Sequence, residues 1–185
     1  MNQEDHDLQL EVLKKLKRAV ELNLSELLQA FSQRSIGTVA WLARNLLELS
    51  VWAEYCKSSP ERAKTFYEDS ARDALDLLKI LSEKPEKFAR DQTINFRAER
   101  ERLIEKADFE KAAKSFLPVH EAAEKLGWKD RFIIANKSFS KFAHPTAIAV
   151  MGLLEPEDTE QIKIKLYEDG LLFGNEALAQ IRSFK

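Results

Sequence analysis

Apolar residues recur at Leu8, Val12, Leu16, Val20, Leu24, Leu27 and Phe31, always three or four positions apart. That spacing predicts one long amphipathic helix over residues 5–32, with Lys14, Lys15, Lys17, Arg18, Glu21 and Glu26 on its polar side. Packing on its own domain is the simplest use of such a face, and pairing with a second copy is the other. After Gly37, with Thr38 placed as an N-cap, residues 39–55 read VAWLARNLLELSVWAEY and are apolar around nearly the whole circumference, which predicts a central, buried helix. Ser59 as N-cap and Pro60 at the first helical position restart the chain as a helix over residues 60–81. Residues 83–114 are rich in charge and poor in apolar positions, and we expect there a polar helix over 93–106 and a second one capped by Asp108.

Further along, Pro118 opens a short helix that Gly127 closes. Phe132, Ala135, Phe139 and Phe142 then form a core-facing stripe over residues 129–143. An apolar run over 147–154 predicts one more short helix. Ile162, Ile164 and Leu166 alternate with polar residues, and Asp169-Gly170 precedes Leu171, Leu172 and Phe173, the pattern of a small β-hairpin near the C-terminus. Asn175 is then expected to cap a final helix. The fold class expected is all-α, a helical bundle of about six to eight helices in a single domain over residues 1–185.

Composition removes several function classes. Lys plus Arg number 29 against 31 for Asp plus Glu, so no global field draws the chain to nucleic acid or an anionic membrane, and any such site is a local patch. Cys56 is the one cysteine, which excludes an intrachain disulfide and a CxxC pair, and its neighbours Trp52, Ala53 and Tyr55 suggest a buried hydrophobe. No apolar run approaches the roughly 20 residues of a membrane span, and the N-terminus has no signal-peptide core, so a cytoplasmic location with no membrane partner is expected.

Against the apolar central helix, Arg44 and Glu48 stand out, four apart and in line with Tyr55, so guanidinium and carboxylate can pair along one face. They read either as an ion pair that fixes packing or as the lining of a binding cleft. Asp69, Asp73 and Asp76 share a helix side and read best as a solvated acidic face. His120 and Glu124 stand at i, i+4, but no second such pair accompanies them, so we expect neither metal nor cofactor. The richest stretch is Lys137 to Thr146, KSFSKFAHPT. On a helical wheel Lys137, Lys141 and His144 fall away from the Phe stripe, with Ser140 beside them, and Pro145 puts His144 at a helix end or kink.

Two of these segments, ARNLLEL at 43–49 with Tyr55 and the Ser59-Pro60 restart, and SKFAHPT at 140–146, resemble a family of uncharacterised bacterial helical proteins related to the HEPN (higher eukaryotes and prokaryotes nucleotide-binding) superfamily. The resemblance covers residues 36–175, behind an N-terminal helix in 1–35. It implies a helical bundle that forms homodimers, binds RNA or a nucleotide, and in many members cleaves RNA without a metal. The HEPN site is an Arg, often followed by a polar residue, then four to six residues, then His. In this chain Lys137, followed by Ser138, stands in the place of that arginine before His144. The resemblance thus implies catalytic roles for His144, Lys137, Lys141 and Ser140, and binding roles for Arg44, Glu48 and Tyr55. Two other classes stay open: a non-catalytic interaction module in which Arg44, Glu48 and His144 form a buried network, and a metal enzyme using Glu48, His120 and His144.

Overall fold

The computed structural model describes residues 3–33, 36–83, 102, 117–144, 146–152 and 154–184. The polar helix expected over 93–106 (save Arg102) and the capped one at Asp108 lie outside the described residues. Along the chain run α1 (Gln3–Ser32), α2 (Ile36–Ser58), α3 (Pro60–Glu83), α4 (Val119–Lys125), α5 (Lys129–Ala143), α6 (Ala147–Met151) and α7 (Pro156–Arg182), and no strand occurs among the described residues. The fold is all-α. It divides into two compact units, residues 1–63 with 118–185, and residues 64–117.

In the first unit α2 is the hub. Val39, Ala40, Ala43, Leu46, Val51, Ala53 and Cys56 are fully buried on it, because α1, α4, α5 and α7 all pack against it. A helix apolar all round is stable only when so surrounded. Its start is earlier than the Gly37-Thr38 signal predicts, since Ile36 and Gly37 already lie in the first turn. The α1 stripe packs on α2 and α7 of its own chain. Gln9, buried on α1, donates from Nε2 to the carbonyls of Cys56 at 2.8 Å and Lys57 at 3.0 Å, which satisfies acceptors that the last turn of α2 leaves open. Burial pushes the Cys56 thiol up to about 12, so it is an inert core residue rather than a nucleophile.

The expected β-hairpin does not form: residues 162–173 and Asn175 lie inside the single helix α7. The glycine that reads as a turn is there for close approach. A Cβ on Gly170 would stand 2.9 Å from Leu27 Cδ2 and 3.1 Å from Ala43 Cβ, and one on Gly174 2.5 Å from Leu24 Cδ2. Bare backbone at these positions lets α7 press onto α1 and α2. The polar alternation also misleads, because Lys163 is buried, reaching Glu160 at 2.8 Å with its ammonium 4.8 Å from the centre of the Phe31 ring.

In the second unit Asp69 is buried on α3 rather than on a solvated face. Its Oδ2 accepts the Leu117 backbone N–H at 3.1 Å and its other oxygen lies 3.7 Å from Arg72 Nη1. The first turn of α3, which belongs to the first unit, starts as the sequence predicts: the Ser59 hydroxyl accepts the Arg62 N–H at 3.2 Å, directly ahead of Pro60.

Candidate functional site

The site is built on the first unit where the end of α5 meets α2. Gly127, at φ 74°, closes α4 in the left-handed conformation, and the chain re-enters a helix at once with the Phe132 N–H on the Trp128 carbonyl at 2.8 Å. The α5 stripe is buried at Phe132 and Phe139, with Phe139 edge-on to Phe173 of α7. Helix α5 ends at Ala143, as the following Pro145 predicts. His144 takes the extended conformation, φ −116° and ψ 158°. The Thr146 hydroxyl then donates to the freed Lys141 carbonyl at 2.6 Å, which holds the helix end in place.

That ending aims His144 at α2. Arg44 Nη1 lies 2.9 Å from His144 Nε2, and Arg44 Nε donates to Glu48 Oε1 at 3.1 Å. A guanidinium has donors only, so Nε2 accepts, and the ring is neutral with its proton on Nδ1. Glu48 holds one edge of the guanidinium and thereby turns the other towards the imidazole. The Arg44 and Glu48 side chains are 30% and 31% exposed and His144 is exposed, so the trio lies at the surface.

Two hollows flank the trio. One, of about 390 Å³, lies between α2, α4 and α5, and its lining includes Arg44, Glu48, His120, Phe132, Asn136 and Lys137. The other, of about 480 Å³, is mostly apolar and has His144 on its wall with Ile36, Phe142, Ile148 and Leu154. Lys137 therefore faces the Arg44 side. Lys141 does not: it lines a third groove, of about 720 Å³, between α5 and α7, together with Ser138, Ile134 and Phe142. Ser140 is half-buried on α5. Tyr55 is buried about two turns beyond Glu48 on α2; Trp52 meets its ring edge-on at 5.8 Å and the Arg62 guanidinium lies over it at 5.0 Å. The structure thus joins Arg44, Glu48 and His144, places Lys137 near them, and puts Lys141 and Tyr55 elsewhere.

Asn136 is a groove residue that the sequence alone did not single out, and His120 one that it offered only for a metal site. His120 shares its groove with Arg44 and, among the described residues, makes no hydrogen bond or ion pair of its own. The Asn136 side-chain oxygen is shielded from solvent and has no hydrogen-bond partner among the described residues, an uncommon condition for a buried amide. Neither lies near Arg44 in sequence, and only the packing of α4 and α5 on α2 brings them to it. Glu48, His120 and His144 are not gathered for a metal, and among the described residues no three His, Cys, Asp or Glu side chains are close enough to hold one. No helix among the described residues is long and apolar enough to cross a membrane.

The model of the family of unknown function DUF5677 matches residues 13–162. No curated protein and no solved structure matches the chain.

Proposed function

The chain belongs to the DUF5677 family of unknown function, and we propose that its Arg44–Glu48–His144 trio is a HEPN-like site that binds RNA and cleaves it without a metal. One observation carries this reading. The arginine that the local pattern before His144 lacks is supplied in space by Arg44 of α2, at 2.9 Å. Arginine and histidine meet at a partly exposed surface, beside hollows whose size suits a nucleotide.

The chemistry follows from the donors and acceptors present. An RNA phosphate is a stronger, bidentate acceptor for a guanidinium than an imidazole is, so its arrival draws Arg44 off Nε2. The uncovered lone pair of His144 takes the proton of the 2′-hydroxyl, and Arg44, held by Glu48, neutralises the charge that builds on the phosphoryl oxygens. Lys137, in the same groove as Arg44, adds positive charge along the strand. The homodimer that the resemblance implies belongs to this reading as well.

A non-catalytic module is the competing reading. It has in its favour that the three residues satisfy one another, and against it that they do so at the surface, where a structural network gains least. Incubation of the purified chain with single-stranded RNA in EDTA decides between them. Cleavage by the native chain that His144→Ala abolishes without altering the helical circular dichroism supports the nuclease. Absence of both RNA binding and cleavage overturns it.

A further inference from the structure

Breaking an RNA strand by attack of its own 2′-oxygen moves two protons. One leaves the attacking hydroxyl, and one must reach the 5′-oxygen, because an alkoxide is a poor leaving group. The neutral His144 serves the first transfer, and Arg44 has no proton to give at ordinary pH. The trio is therefore one acid short.

We infer that His120 is that acid: as an imidazolium it protonates the departing 5′-oxygen while His144 deprotonates the 2′-hydroxyl. This rests on the nuclease reading of the site. Three observations support it. His120 lines the same groove as Arg44, whose guanidinium meets His144, so a phosphate held by Arg44 has an imidazole on α4 as well as one at the end of α5. Its ring is exposed, within reach of solvent, and no hydrogen bond or ion pair among the described residues fixes its orientation. Glu124, one turn along α4, offers a carboxylate to the charged ring. That carboxyl is held below its ordinary value by Lys129, which bonds it at 2.7 Å, and in smaller measure by His120 itself.

The step balances. The 2′-oxygen forms a bond to phosphorus as the bond from phosphorus to the 5′-oxygen breaks. His144 Nε2 gains the hydroxyl proton and the 5′-oxygen gains the His120 proton. The products are a 2′,3′-cyclic phosphate and a free 5′-hydroxyl, with no oxidant, reductant or metal consumed. Solvent then restores both rings.

A leaving group that needs no proton tests the assignment. The full chain is assayed on a ribodinucleotide and on a ribonucleoside 3′-(p-nitrophenyl phosphate), whose phenolate departs unprotonated. His120→Ala is expected to slow cleavage of the dinucleotide by about a hundredfold or more and of the nitrophenyl ester by less than about threefold, whereas His144→Ala slows both. His120→Gln, which keeps a polar side chain in the groove, is expected to behave as His120→Ala does. Equal losses on the two substrates would show a role in binding or folding and overturn the inference, as would native rates from either His120 variant. If the native chain cleaves neither substrate, the nuclease reading fails, and this one with it.

Discussion

The two sides of α5 carry similar residues and differ in what those residues are bound to. On the α7 side, Arg131 is tied to Glu176 at 2.5 Å and lies over Phe173, Lys165 is tied to Asp169, and between them runs an apolar floor of Ile134, Ala135, Ile162 and Leu166. Of the cations there, only Lys141 has no partner among the described residues. On the α2 side, Arg44 is divided between a carboxylate and an imidazole, a second imidazole lines the same groove, and Lys137 is unpaired among the described residues. Cations already matched by acids at a groove rim mainly hold helices together. A guanidinium that spends a donor on a neutral imidazole can exchange it for a better acceptor. Chemistry is therefore expected on the α2 side alone.

The strongest way to break that contrast is Arg44→Ala. It is expected to lower RNA cleavage by about a hundred- to thousandfold, read as initial rates, while Lys141→Ala leaves the rate within about twofold. Equal effects would remove the distinction between the grooves. Phe139 of α5 lines neither groove and is fully buried, edge-on to Phe173. Phe139→Ala is expected to cost about 3–5 kcal/mol in urea unfolding, an effect on stability that separates the packing of α5 from the chemistry of either groove. Arg44→Lys separates charge from shape. An ammonium cannot hold Glu48 and a phosphate with one planar fork, so a loss of about tenfold or more in rate is expected with little change in melting temperature. The smallest effect is expected from Glu48→Gln: Arg44 keeps an acceptor but loses the charge on it, and the rate should fall by only about two- to fivefold.

Helix α5 was legible in the sequence to the residue, because its Phe stripe lies between a glycine stop and a proline. Helix α7 was not. Gly170 and Gly174 carry no mark that separates a turn from a helix surface pressed against a neighbour, and Leu24, Leu27 and Ala43, which decide the matter, belong to other helices. The site divides in the same way. Arg44 and Glu48, one turn apart, were legible as a pair. The bond from Arg44 to His144 joins residues 100 positions apart, and no local spacing encodes it. Lys137 and Lys141 looked like one cluster because they are four apart. Four residues of α-helix turn about 40° past a full circle, and with α4 on one flank of α5 and α7 on the other that offset puts them in different grooves.

The place of α2 has a consequence for how the chain is made. Its partners come from both directions along the sequence, α1 just before it and α7 about a hundred residues after it. On the ribosome the α1–α2 hairpin is complete early, with Gln9 closing its far end, yet the strip of α2 around Ala43 stays bare until residues 156–182 have emerged. Synthesis at about 5–20 residues per second leaves that strip uncovered for several seconds. A nascent chain stalled before α7 is therefore expected to be a substrate for chaperones, and release of α7 is the event that ends that exposure.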